Sequence, residues 1–457
     1  MDFPLICAAA TPEGVGGIAI LRLSGEGSWE LARRIFQPHT PFDWDEAKGY
    51  QLHYGHIVYD GKTYDEVLLA LMKKERSYTR EDMAEIQCHG GFLAARRILE
   101  LLIALGAKLA LPGEFTKRAF FNGRIDLSQA EAVIETIRAI DEKDLDFSLT
   151  RLKGDRGRGF LRIRDDLVAL IAETEAVIDF PEDGLDDTVA ATIRKRVPAM
   201  IEAIDAEIAK ADEGRVYRHG IVTAIAGRTN VGKSSLMNAL LREERAIVTE
   251  IPGTTRDVIE DTVILRGIPL RLMDTAGIRE TDDPVEKIGV TKSRESLSRA
   301  ELILFVTDRG DGFDGEEREI LAGCAGKKVI VVCNKEDVVE YDREAAAAAF
   351  APHRAVFLSA KEGSHLEDLG DGIRELFLTG AITADSGEWV GNLRHKEAFL
   401  RAKEHLLEVV KGQELAMPLD FQVIDLRGAL EALGEINGES ISMEILDRVF
   451  SEFCIGK

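Results

Sequence analysis

Residues 227–234 read Gly-Arg-Thr-Asn-Val-Gly-Lys-Ser, between the apolar run IVTAIA and the helix-forming run KSSLMNALL. No other stretch constrains the fold as tightly. The pattern GxxxxGK[ST] works only as a loop joining a strand to a helix, with backbone N–H groups and the helix N-terminus turned onto phosphate. It commits the surrounding chain to an α/β domain. The following residues have that form: the apolar runs PLRLMD, ELILFVTD, KKVIVVCNK and AVFLSAK alternate with helical segments as far as about Leu378. Unbroken apolar runs mark parallel strands buried on both faces.

The strand ends of this domain carry the chemistry. Asn230, Val231, Gly232, Lys233, Ser234 and Ser235 form the phosphate loop, with Lys233 reaching the β and γ phosphates and the Ser234 hydroxyl holding Mg²⁺. Asp274, Thr275, Ala276 and Gly277 close the run PLRLMD. An acid there reaches Mg²⁺ through water, and the glycine backbone can approach the γ-phosphate. Asn334, Lys335 and Asp337 form an NKxD motif after VIVVC. One carboxylate can accept two N–H bonds from the guanine edge, which adenine cannot offer. Ser359, Ala360 and Lys361 complete the base pocket, and Thr249, Thr254 and Thr255 lie between the phosphate loop and Asp274. Thr255, in GTTRD, is placed to complete the Mg²⁺ shell. Alone, DTAG or NKxD is an ordinary surface turn; four motifs in working order imply GTP binding and hydrolysis. Ile278 follows DTAG where Ras-like proteins orient water with Gln. Another group must do so, helped by an arginine finger or a monovalent cation, and Asn230 offers an oxygen to such an ion.

The flanks differ in character. Residues 18–23 (IAILRL) and 67–72 (VLLALM) read as strands, and 92–105 as a helix stopped by Gly106. From about 126 to 212, and again from 392 to the end, helical periodicity dominates. The expected fold is multidomain: an α+β N-terminal domain (1–119), an all-α helical bundle (120–216 and 380–457), and an inserted α/β Ras-like P-loop GTPase domain (217–379). A net charge of -23 excludes nucleic-acid binding by bulk electrostatics, leaving only local basic patches. The five cysteines include no CxxC pair, so neither a disulfide framework nor a zinc site is indicated. No apolar run approaches a membrane span, and a cytoplasmic location is expected.

The whole chain resembles the tRNA-modification GTPase family MnmE (TrmE). The resemblance rests on ATPEGVGGIAILRLSG, EIQCHGG at residues 85–91, PGEFTKRAF at 112–120, NGRIDL at 122–127, GTTRD, DTAG followed by Ile-Arg-Glu, and above all the terminal FCIGK. It implies a homodimer with a folate-binding N-terminal domain, working with tRNA and with the FAD-dependent flavoprotein MnmG (GidA) in a heterotetramer or larger assembly. Together they place an aminomethyl or carboxymethylaminomethyl group on carbon 5 of the wobble uridine, using a tetrahydrofolate one-carbon derivative. The resemblance implies K⁺ on Asn230, Thr249, Ile251 and Thr254, and Mg²⁺ on Ser234 and Thr255. It makes Glu286 the acid that orients water, and Lys233 and Thr255 catalytic. It assigns folate to Arg22, Glu85, Arg124 and Lys457, and a role in modification to Cys454. Arg124 stands where relatives often carry Lys, and the loop reads RTNVGKS where RPNAGKS is frequent.

Bland readings stand beside these. Glu286 fits a solvated helix start, and Arg22 an exposed strand face. The basic run 151–164 fits either tRNA phosphates or a solvated helix. A ribosome-assembly switch of the Era/EngA type shares the nucleotide motifs, but usually carries a basic RNA-binding appendage; here the appendages are acidic helices. A GTP-binding scaffold without turnover is opposed by intact Lys233, Ser234, Asp274 and Thr255.

Overall fold

The strand-like runs at the start of the chain and the phosphate-loop motif at its centre fall on two different sheets. The computed structural model describes all residues except 1–2, 13, 48, 140–141, 155–156, 181, 183–185, 243, 246–259, 274–296, 379, 381 and 383–390. The chain divides into two units. One is Met1–Ile137 with Arg151–Asp155 and Glu431–Lys457; the other is Arg138–Thr150 with Arg156–Leu430.

The first unit is built on β1 (Ile6–Ala9), β2 (Ile18–Ser24), β3 (Phe36–Pro38), β4 (Gln51–Tyr59), β5 (Lys62–Met72), β6 (Met83–His89) and β7 (Lys108–Leu109). Their order is β3-β4-β5-β6-β2-β1-β7, antiparallel except for the β1–β7 pair. The strand expected at 67–72 begins five residues earlier. Asp60 and Gly61, both at positive φ, make the two-residue turn that pairs β4 with β5. Strand alternation sorts β2. Ala19, Leu21 and Leu23 enter a core with α1 (Ser28–Ile35) and α2 (Phe92–Ala104), while Arg22 points to the other face, in register with Glu85 on β6. Next come α3 (Glu114–Phe121) and α4 (Leu127–Arg138).

The second unit holds most of the helical bundle and the phosphate-loop domain. The helices are α5 (Glu142–Leu152), α6 (Arg158–Asp179) and α7 (Asp186–His219). The helical periodicity expected from about 126 to 212 is thus divided among α4, α5, α6 and α7. At the end of α7, Gly220 turns the chain straight into β8 (Ile221–Ala226). Its φ is +67°, and a Cβ there would lie 2.9 Å from the Pro269 carbonyl oxygen. The elements that follow are α8 (Lys233–Leu240), β9 (Glu244–Arg245), β10 (Glu260–Leu265), β11 (Ile268–Met273), β12 (Leu302–Thr307), α9 (Gly315–Ala322), β13 (Lys328–Cys333), α10 (Arg343–Ala349), β14 (Arg354–Phe357) and α11 (Leu366–Phe377). The sheet order is β14-β13-β12-β8-β11-β10-β9. Strands β14, β13, β12, β8 and β11 are parallel, whereas β10 and β9 pair antiparallel. All six residues of β12 are buried, as its unbroken apolar run requires. Because β8 lies between β11 and β12, successive connections leave it in opposite directions. Such a switch point opens a crevice at the strand's carboxyl end, where ligands bind in open α/β sheets.

After the sheet come α12 (Leu393–Glu414), α13 (Leu419–Asn437) and α14 (Met443–Ser451). Helices α12 and α6 both pack against α7, with buried Ile193, Val197 and Ile204 on α7, Phe399, Leu406 and Val409 on α12, and Phe160 of α6 edge-on to Phe399. Helix α14 belongs to the first unit: Leu446 and Phe450, with Phe453 beyond them, join Ala119, Leu127 and Ala130 in one cluster. No helix among the described residues is long and apolar enough to cross a membrane.

Candidate functional site

The phosphate loop sits between β8 and α8. It is shaped by positions where a side chain would collide. Gly227 (φ +137°) passes so close to β12 that a Cβ would lie 2.2 Å from the Val306 carbonyl oxygen; at Gly232 (φ +100°) it would lie 2.1 Å from Asn334 Nδ2. Val231 anchors the loop in the core. Lys233 Nζ folds back on the loop, donating to the carbonyls of Gly227, at 2.9 Å, and Arg228. Burial lowers the Lys233 pKa below the usual lysine value. The Ser234, Ser235 and Asn230 side chains are exposed, with Asn230 at φ +62°. Among the described residues, the Ser234 hydroxyl and the Asn230 amide have no protein partner. Uncharged oxygen donors of this kind suit hard cations.

The base-side motifs converge on the same loop. Asn334 is buried; its Nδ2 donates to the Val231 carbonyl at 2.8 Å, and its Oδ1 accepts from the Ala360 N–H at 2.9 Å. One asparagine therefore ties the phosphate loop to the end of β14. Ser359 Oγ donates to Asp337 Oδ1 at 2.7 Å, orienting a carboxylate that stays exposed. Lys335 (φ +66°) reaches Asp308 at 2.7 Å, and Lys361 is exposed. Thr249, Ile251, Thr254, Thr255, Asp274, Thr275, Ala276, Gly277 and Glu286 lie outside the described residues.

In the first unit the other candidates gather around the chain's last residues. Arg22 Nε donates to Glu85 Oε1 at 2.8 Å, and its Nη1 to the Gly456 carbonyl at 3.0 Å. Its side chain is only 17% accessible, so it is not an exposed face residue. The Phe115 N–H donates to the Lys457 carbonyl at 3.1 Å. Gly456 (φ +93°) runs so close to β1 that a Cβ would lie 2.2 Å from the Ala9 carbonyl oxygen. Burial, then the neighbouring Arg22, lowers the Lys457 pKa, partly opposed by Glu85 and Cys454. Cys454 is exposed, whereas Cys7, Cys88, Cys324 and Cys333 are buried. The Arg124 guanidinium lies 4.5 Å from the centre of the Tyr78 ring, with Arg22 at 6.0 Å from the same ring. Arg22 thus pairs with Glu85 and shares the Tyr78 ring with Arg124, and Lys457 feels both Arg22 and Glu85.

Sequence reasoning did not single out Tyr78, although an aromatic inside the polar stretch SYTRED, just before β6, was a signal. Its hydroxyl lies 2.9 Å from Thr116 Oγ1. Burial raises its pKa, opposed by that hydrogen bond and by the two guanidiniums. Also missed was Arg228, which donates to Asp314 at 2.6 Å and Glu316 at 3.0 Å and so pins the phosphate loop to the start of α9. Among the described residues of the basic run 151–164, Arg151 is buried against Glu135 and Arg164 pairs with Asp165.

Comparison with known proteins covers both units. A family model described as "GTP-binding protein TrmE N-terminus" matches residues 5–124, and one described as "MnmE helical domain" matches residues 127–454. The chain is 46% identical over 461 residues to a Thermoanaerobacter pseudethanolicus protein named tRNA modification GTPase MnmE, covering 100% of both chains. It is 42% identical over 456 residues to the Desulforamulus reducens protein of the same name, covering 99% of each. Among solved structures, Aquifex aeolicus Era bound to GDP and aluminium fluoride is 27% identical over 40% of this chain and 66% of its own, with a TM-score of 0.27.

Proposed function

The chain belongs to the MnmE (TrmE) family of tRNA-modification GTPases, and from that premise we propose a potassium-stimulated GTPase that supports one-carbon transfer to carbon 5 of the wobble uridine. Because relatives match over their full length, the Era/EngA alternative falls away. The observation that supports the reading is that one chain holds two residue clusters: the phosphate loop and base-side motifs tied together by Asn334, and Arg22 with Glu85 against the chain's last residues.

In this reading Lys233 leaves its loop carbonyls for the β and γ phosphates, and Asp337 takes the guanine edge. Ser234 and Thr255 hold Mg²⁺, and Asn230 with Thr249, Ile251 and Thr254 holds K⁺. Bound there, the two ions supply positive charge against the charge that develops on the transferred phosphoryl group. Glu286 orients the attacking water. Arg22, Glu85, Arg124 and Lys457 bind the tetrahydrofolate derivative, and Cys454 serves the modification step beside them. The reading includes a homodimer, the FAD-carrying MnmG partner, a cytoplasmic location, and the domain division 1–119, 120–216, 217–379 and 380–457.

Hydrolysis of GTP in potassium and in sodium buffer of equal ionic strength, with no partner present, tests it. Strong acceleration by potassium alone is expected. Equal, slow rates in both salts would remove the ion from the mechanism and call for an activating protein.

A further inference from the structure

We infer that the loop joining β5 to β6 is a contact surface for the phosphate backbone of tRNA. The inference rests on the folate reading of the pocket beside it. The loop, residues 73–82, reads Lys-Lys-Glu-Arg-Ser-Tyr-Thr-Arg-Glu-Asp: four cations and three acids, of which Glu81 is turned to Ser24 and Arg118 and Asp82 accepts from the Lys74 backbone N–H, in a chain of net charge -23. Lys73, Lys74, Arg76 and Arg80 are exposed, and none has an acidic partner among the described residues. In so acidic a protein, RNA can be held only where positive charge is concentrated locally, because each phosphate contact needs its own cation.

The loop is built, not slack. Beneath it, Ser77 and Thr79 are buried. Thr79 Oγ1 lies 2.6 Å from Ser24 Oγ, and Ser24 donates to Glu81 at 2.6 Å. Glu81 in turn meets the fully buried Arg118 at 3.1 Å. Two non-glycine residues here lie in the left-handed region, Arg80 within the loop at φ +54° and Tyr50, just before β4, at φ +57°. Each is held there by its surroundings. The Tyr50 N–H donates to the Leu71 carbonyl at 2.8 Å and its hydroxyl to the Arg76 carbonyl. Arg80 Nη1 donates to the carbonyls of Asn122 and Gly123, at 3.2 and 2.8 Å. Strained backbone of this kind persists where surrounding structure over-determines it, and it concentrates at functional sites. The Tyr50 ring is 59% exposed, available to stack on a base beside the cations.

Position connects the loop to chemistry. Arg80 grips the turn immediately before Arg124, and Tyr78 of the same loop lies under Arg124 and Arg22. A nucleotide whose phosphates rest on Lys73, Lys74 and Arg76 therefore stands on the scaffold that forms the cationic pocket.

The test is binding of unmodified transcribed tRNA to the intact chain, by fluorescence anisotropy over a range of salt. Lys73→Glu/Lys74→Glu/Arg76→Glu is expected to weaken binding at least about tenfold at low salt and to flatten the slope of log K against log salt by about 2. GTP hydrolysis and reduced-folate binding should be unchanged. The triple Gln variant should show a smaller loss of the same kind, which guards against misfolding, and Arg194→Glu/Lys195→Glu on α7 should stay within about twofold of the unaltered chain. Unaltered affinity and slope in the triple Glu variant, an equal loss in the α7 variant, or no tRNA binding by the unaltered chain each overturns the proposal. Loop-dependent tRNA binding without folate binding would remove the folate reading and leave this surface standing.

Discussion

At Gly232 the backbone (φ +100°) and the neighbouring Asn334 amide both exclude a side chain. Left-handed backbone costs a non-glycine residue about 1–2 kcal/mol before any clash is counted. Gly232→Ala should therefore lose at least about tenfold in affinity for a fluorescent guanine nucleotide, and unchanged affinity would show that Asn334 does not fix the loop. Asp337→Asn removes the carboxylate that Ser359 orients. Hydrogen bonds to a charged group contribute about 1.5–3 kcal/mol. GTP affinity should fall by roughly ten- to a hundredfold, while xanthosine triphosphate, whose carbonyl can accept from the new amide, should gain. No change in this preference would place base recognition elsewhere. At Tyr78 the ring face carries the argument, because two guanidiniums lie against it. Cation–π contacts are worth about 0.5–2 kcal/mol. Tyr78→Leu should weaken reduced-folate binding several-fold in calorimetry, and Tyr78→Phe should restore it; equal loss in both would assign the effect to the hydroxyl.

Helix α9 is the element through which the phosphate loop is anchored. Its capping box joins Asp314 and Glu317 reciprocally, at 2.9 and 3.1 Å, and Arg228 binds the same Asp314. Glu317 is fully buried and accepts from Thr307 Oγ1 at 2.8 Å at the end of β12. Thr307→Val leaves that carboxylate oxygen without its donor, and should lower stability by about 1–3 kcal/mol in urea unfolding; an unchanged midpoint would mean the network is not stabilising. The Asp314 carboxyl is held below its usual range, first by the Glu317 N–H and then by Arg228 and Arg309, against partial desolvation. A depressed carboxylate stabilises at pH above its unfolded value and loses that contribution as pH falls through the folded one. The cap should accordingly hold across neutral pH and fail only in acid, below the ordinary carboxylate range. Asp314→Asn should flatten that acid limb of the melting curve, and an identical limb in the variant would assign acid sensitivity to other groups.

Across the whole molecule, the two units separate the candidate chemistries. Deleting residues 453–457 removes Phe453 from its cluster, and removes the Gly456 and Lys457 contacts to Arg22 and Phe115. Reduced-folate binding should be lost while guanine-nucleotide affinity is kept; loss of both would mean that the tail also supports the nucleotide pocket. The sequence by itself determined what depends on neighbours along the chain. The phosphate loop, the NKxD turn, the buried strands and the long helices follow from spacing within a dozen residues, because helix and strand periodicity are local properties. Only the tertiary structure decided which distant residues meet. Arg22 and Gly456 are 434 positions apart, and Asn334 and Val231 are 103 apart. Likewise, the basic run that looked continuous in sequence turns Arg151 inward to Glu135, while Tyr78 meets Arg22 and Arg124 from distant parts of the chain. Periodicity assigns a residue to a face of its own element. Which other face it meets is set by the burial of apolar surface over the whole chain, and no local pattern records that outcome.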